Sequence, residues 1–197
     1  MTPRQQNQVK NHPSAGSIIT VQPIIDKAAI ERIKNLLRED NIYRNFALFV
    51  VGINTAFRAS DLLTLEVGDV KGDVIRRREK KTGKVREFYL NGAVKAAVAP
   101  LIVGKKDDDW LFPSETTGKP LTVPVFSGMV KIWCFRAGLK GNFASHTLRK
   151  TWCRAMVDAG EQIWKVSEAL GHSSEKVTRR YIGIEIESLK SMHMRQV

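Results

Sequence analysis

A tyrosine, two histidines, two arginines and a lysine follow one another in this chain in an order that suits attack on a phosphodiester. Tyr181 lies in Thr178-Arg179-Arg180-Tyr181-Ile182, nine residues after His172 in Leu170-Gly171-His172, and His146-Thr147-Leu148-Arg149 stands upstream. A phenol is a weak nucleophile near neutrality because its pKa is about 10, so a tyrosine that attacks phosphorus needs fixed cations and hydrogen-bond donors around it. Arg58 and Arg149 each offer a planar guanidinium fork that matches phosphate oxygens, and a pair of them neutralises the non-bridging oxygens of a pentavalent phosphate. Lys81, in Lys80-Lys81-Thr82-Gly83-Lys84, carries an ammonium suited to protonating a leaving oxygen, and Lys80 and Lys84 stand near enough to share that role. His146 and His172 are groups that move protons or donate hydrogen bonds.

Each residue alone has a plainer explanation. Arg58 could pair with Asp61, the turn lysines could be solvated charge, His146 and Arg149 could be a surface pair three apart on a helix, and Tyr181 could be an ordinary residue of an amphipathic helix. The conjunction is what points to chemistry. The remaining histidines, His12 and His193, fall near the two ends, so a metal centre would rest on two distant residues and is rejected. Without a G-x-G-x-x-G or Walker motif, no nucleotide-dependent chemistry is expected.

The elements that must position these groups are mostly helices. Asp26 is a plausible N-cap for a helix to Arg38 with Ile30, Ile33 and Leu37 on one face, and a more apolar helix runs from about Ile42 to Ile53. Arg58 stands just ahead of a helix start around Ser60. The stretch DVIRRREKKTGKVREFYL changes period, with β-favouring residues on both sides of a Lys-Thr-Gly-Lys turn, and predicts a hairpin with Lys81 at its tip. Asn91 caps a helix to about Leu101, and Thr122 with Pro124 opens another that ends at Gly138. Ser145 is expected to cap a helix through Ala159, Gly171 to stop the next, and Ser174 to open a short one reaching Tyr181. Residues 185–197 predict a weak terminal helix. The fold class is therefore α+β, predominantly helical, with one small antiparallel hairpin against a helical core.

The chain has 197 residues, 43% of them hydrophobic, which fits one domain of ordinary size with a sizeable core. Residues 1–21 read as a flexible polar arm and residues 22–197 as the domain proper with a tail. The formal charge of +12 favours a polyanionic partner, with double-stranded DNA foremost, and no stretch is long and apolar enough to span a bilayer. The opening segment lacks the apolar core of a secretory signal, and Cys134 and Cys153 fit reduced, buried thiols, so a cytoplasmic location is expected.

With these residues in place, the chain resembles the catalytic domain of tyrosine recombinases, the phage integrase family, whose signature is Arg, Lys, His-x-x-Arg, His or Trp, then Tyr. The matching stretches are TAFRASDLLTLEVGDV, KKTGKVREFYL, SHTLRKTW and EALGHSSEKVTRRYI, in the family's order over about residues 22–190. The resemblance implies a cofactor-free transesterification, as in DNA integration and the movement of mobile genetic elements. Tyr181 would form a 3′-phosphotyrosyl bond, Arg58 and Arg149 would bind the phosphate, Lys81 would protonate the leaving 5′-oxygen, His146 would assist proton transfer and His172 would hydrogen-bond the phosphate. It also implies a tetramer on paired DNA sites, built through the C-terminal segment, from a chain that is monomeric when free.

Two departures from the pattern are visible. Asp61 stands where the family commonly has Glu, and the helical core-binding domain that usually precedes this one is not found before Asp26, as in a fragment or in short recombinases resembling the fimbrial phase-variation invertases. A type IB topoisomerase has a similar site, and a DNA-binding module could keep the fold without catalysis; the short chain and the Leu-Gly-His to Tyr spacing favour a recombinase.

The basic surplus generates a prediction. Affinity for a random duplex should fall linearly on a log–log plot against salt, at about 0.9 per phosphate contacted, with little preference for sequence. A salt titration of binding measures the slope, and a salt-independent affinity would contradict the electrostatic origin.

Overall fold

The computed structural model describes residues 20–78, 83, 85–183 and 194. Among them α1 spans Lys27–Glu39, α2 Tyr43–Asn54 and α3 Ala59–Leu63. A single 3₁₀ turn follows at Gly68–Val70, and then the hairpin strands β1, Val74–Arg78, and β2, Val85–Tyr89. The helices α4, Gly92–Ile102, α5, Val123–Arg136, α6, His146–Asp158, α7, Ile163–Leu170, and α8, Glu175–Ile182, complete the order. The helical character and the single antiparallel hairpin agree with the sequence. The arm at 1–19, the lysines Lys80, Lys81 and Lys84, and the terminal helix expected at 185–197 lie outside the described residues.

Local chemistry explains most boundaries. Asp26 is extended and its carboxylate accepts from the Ala28 N–H at 2.8 Å, opening α1, whose buried stripe is Ala29, Ile33 and Leu37. Asn91 caps α4 by accepting from the Val94 N–H at 3.0 Å, and Ser174 caps α8 through Val177. Gly171 ends α7 at φ 65°, and the His172 N–H reaches back to the Ser167 carbonyl at 3.0 Å, a Schellman-type closure that swings His172 off the helix axis. One expected cap differs. Ser145 is in the helical region of backbone space and makes no side-chain cap; instead the Thr147 hydroxyl accepts from the Ala144 N–H at 3.0 Å, while Ser145 N–H goes to the Ser127 hydroxyl of α5. The helix start is thus tied to a neighbouring helix rather than to its own first side chain.

Two apolar clusters form around α2 and α6. The larger gathers Leu37, Phe49, Leu63, Phe126 and Leu148 among others, with α2 as its centre, buried on almost every side. The smaller holds Ala56, Cys153, Val166, Leu170 and Ile182, with Trp152 and Tyr181 packed against it. Helix α6 contributes to both, Leu148 to the first and Cys153 to the second. The hairpin is joined to this body by its base: Phe88 of β2 stacks on Phe57, ring centroids 3.9 Å apart, and Arg77 of β1 reaches Asp69 and the Thr64 carbonyl. β1 and β2 pair from Val74↔Tyr89 to Arg78↔Val85.

The seating of α2 on α6 depends on a missing side chain. A Cβ at Gly52 would stand 2.5 Å from Leu148 Cδ1 and 3.2 Å from its Cβ. Gly52→Ala should therefore lower the unfolding free energy by ~1–3 kcal/mol, as overpacking does. Leu148→Ala should cost less in that background than alone, because it removes the obstruction. Urea unfolding of the two single variants and the double variant measures the coupling; strict additivity would mean that Leu148 is not what Gly52 accommodates.

Candidate active site

Five of the six residues singled out by the sequence converge where the two clusters meet. Arg58 is the N-cap residue of α3, half-buried, on the short extended link that follows the end of α2 at Thr55. Arg149, one turn into α6, is 5% exposed, and its guanidinium donates to the carbonyl of Ala56 and to that of Leu170 at the end of α7. His146 stands on the first turn of α6 with Nδ1 3.4 Å from the Tyr181 hydroxyl. His172 meets the Tyr181 ring edge-on at 5.1 Å between centroids. Tyr181 itself comes from α8, which packs on α6 and α7. Lys81, the sixth residue, lies outside the described residues.

The electrostatics follow from this crowding. Burial pushes the Tyr181 phenol up to about 12, while the Arg149 and Arg58 charges and a hydrogen bond from Arg149 pull the other way. Burial first, then the charges of Arg149, Arg58 and Arg86, depress His172 to about 4. The same causes, with Arg149, Lys150 and Arg58 as the cations, hold His146 below its ordinary value, although that residue keeps an exposed edge. Both imidazoles are therefore neutral at physiological pH, so each has a bare nitrogen available to accept a proton. His172 Nδ1 shares a 2.8 Å hydrogen bond with the buried Thr178 hydroxyl, which donates to the Ser167 hydroxyl at 3.0 Å. With its own proton so used, Thr178 accepts from Nδ1, and Nε2 is the edge left for a ligand.

Three contributors went unnoticed in the sequence. Lys150 is 8% exposed and its ammonium lies 4.8 Å from the Tyr181 ring centroid. Its spacing of four from His146 was a legible signal of a shared helix face. Arg86 of β2 lies over the Phe88 ring and donates to the Glu168 carbonyl at 3.3 Å, binding the hairpin to α7. Its alternation with Phe88 placed both on one strand face. Thr178 and Ser167 gave no sequence signal, since their pairing bridges two helices. Among the described residues no group of three or more His, Cys, Asp or Glu could hold a metal ion, and no helix is long and apolar enough to cross a membrane.

A tyrosine hydroxyl beside a histidine and a buried arginine is the arrangement a covalent phosphoryl-transfer site requires, and comparison with known proteins is consistent with it. Residues 23–187 match the model of the phage integrase family. The chain belongs to that family. It is 32% identical over 174 residues to the probable integrase/recombinase YoeC of Bacillus subtilis strain 168, covering 88% of this chain and 95% of that protein. The integrase fold is shared with XerA recombinase, at a TM-score of 0.72 and 21% identity over 94% of this chain and 68% of that one. It is shared too with XerH bound to its difH substrate, at 0.69 and 19% identity over 96% and 59%. Against the curated Xer tyrosine recombinases it matches, this integrase-family chain spans about half their length. The family is that of the tyrosine-type DNA recombinases.

The double role of Arg149 yields a prediction about stability. Arg149→Ala leaves two buried carbonyls without a donor and should cost ~2–4 kcal/mol, and Arg149→Lys, a point donor that cannot span both, should fall between. Urea denaturation of the free protein reads both losses; a wild-type midpoint for Arg149→Ala would mean the carbonyls find other donors.

Proposed function

We propose that this chain is the catalytic unit of a site-specific DNA recombinase, cutting and rejoining double-stranded DNA through Tyr181. The observation that carries this is the Tyr181 hydroxyl held 3.4 Å from His146 Nδ1 beside the buried Arg149. The Tyr181 oxygen attacks the scissile phosphorus, forming a 3′-phosphotyrosyl bond as the bond to the 5′-oxygen breaks. Its proton passes to neutral His146, whose Nδ1 stands 3.4 Å from the hydroxyl. Arg58 and Arg149 bind the non-bridging oxygens, whose charge grows in the transition state. Lys81, carried on the hairpin, gives its proton to the departing 5′-oxygen. A partner strand's 5′-hydroxyl then attacks the phosphotyrosine and releases the phenol. Because the phosphodiester bond energy is kept in the protein–DNA ester, rejoining needs no ATP.

His172 supplies a further contact. Burial and, after it, the arginine charges keep the ring neutral; an arriving phosphodiester anion offsets the second of these and favours a proton on Nε2 that is donated to the phosphate. Duplex DNA as partner is supported by the +12 charge and by the shared fold with a recombinase solved on its DNA. Assembly is proposed as a tetramer on paired sites from free monomers, and the cytoplasm, where such DNA lies, as the place of action.

A nicked suicide duplex that traps the covalent adduct tests this. Wild-type protein should form an adduct, and Tyr181→Phe, which removes only the attacking oxygen, should form none while binding DNA as before. Adduct formation by the variant would place the nucleophile elsewhere, and no adduct from wild type would leave a binding module. Since the base must be neutral, the cleavage rate should fall as pH drops through the His146 pKa, which lies below 6.5. It should be flat between about pH 7 and 9, because the phenol ionises only near 12.

A further inference from the structure

Lys150 is a buried ammonium that the mechanism above leaves without a part. Its residue is 8% exposed, and among the described residues no carboxylate pairs with it. Burying a charge without a counter-ion opposes folding, so a lysine kept in such a place needs a compensating partner. Its partner in the structure is the face of the Tyr181 ring, 4.8 Å from Nζ to the centroid, inside the range of a cation–π contact. His146 and Lys150 lie four residues apart on α6, so one helix face meets the nucleophile twice, once at its hydroxyl and once at its ring.

We propose that Lys150 is a positioning residue for cleavage: its ammonium clamps the Tyr181 ring from one face and stabilises the negative charge that spreads into the ring as the phenol loses its proton. The neutral phenol presents only a quadrupole to the cation, whereas the phenolate presents a full charge, so the attraction strengthens along the reaction and lowers the barrier. Arg149 and Arg58 also ease ionisation of the phenol, but in the proposed chemistry both are shared with the phosphate, and Arg149 is further committed to the Ala56 and Leu170 carbonyls. Lys150 touches neither DNA nor phosphate in this scheme, and it acts through the ring alone.

The proposal rests on the recombinase reading, and the test separates the two. Lys150→Met keeps the length and packing of the stem and removes the charge, while Lys150→Arg keeps a cation. Adduct formation on a pool of nicked suicide duplexes with randomised sequence is followed at saturating protein, beside the duplex Kd and the urea midpoint of each variant. The expected result for Lys150→Met is an adduct rate about 30-fold lower, equal to ~2 kcal/mol at 1.4 kcal/mol per tenfold, with Kd unchanged and the urea midpoint equal or higher because an unpaired buried charge is gone. Lys150→Arg should restore most of the rate. A wild-type rate for Lys150→Met overturns the clamp, as does equal slowing in Lys150→Arg, which would show that shape and not charge matters, or a loss confined to Kd, which would make Lys150 a DNA contact. No adduct from wild type itself overturns the recombinase reading and the clamp with it.

Discussion

The guanidinium of Arg149 joins what would otherwise be separate parts. Its two donors close onto the Ala56 carbonyl, on the link after α2, and the Leu170 carbonyl, at the end of α7, so one side chain of α6 ties that link to the end of α7 across the smaller cluster. Both carbonyls sit where backbone leaves a helix or an extended link and lacks a regular partner, which is where a charged donor contributes most. Ala56, two residues before Arg58, and Leu170, just before Gly171-His172, are thereby held at fixed distance. A group that binds phosphate in the proposed chemistry is thus also the strut that sets where the other phosphate ligands stand.

Around that strut the site balances burial against charge. Packing the Tyr181 ring against the small cluster holds it rigidly but makes its ionisation harder, as the rise to about 12 reflects. The cations gathered nearby work against that rise, and burial first, with the same cations second, keeps His146 and His172 neutral. The two effects are complementary. A nucleophile that stays protonated until phosphate arrives is protected from idle reaction, and a histidine that stays neutral can take its proton when it is needed.

The hairpin is fixed at its root by the Phe57–Phe88 stack next to Arg58 and by Arg86 reaching α7. Both anchors lie on one face of β2, so the strand has a set direction relative to Arg58 and α7.

Much of the fold was legible in the sequence because its causes are local. Asp26, Asn91, Ser174 and Gly171 mark helix ends through chemistry acting within three or four residues, and the hairpin follows from a change of period across a Lys-Thr-Gly-Lys turn. Arg58, His146, Arg149, His172 and Tyr181 could be named from residue types and their order. Ser145 could not be interpreted correctly, because the start of α6 is settled by Ser127 on another helix. For the same reason Lys150, Arg86 and the Thr178–Ser167 pair took on meaning only once folded. A lysine beside an arginine is ordinary surface charge in a sequence; it becomes a partner of the tyrosine only when α8 folds back across α6. Order along the chain fixed which groups were present, and packing between helices, which acts through space at any sequence separation, decided which of them touch.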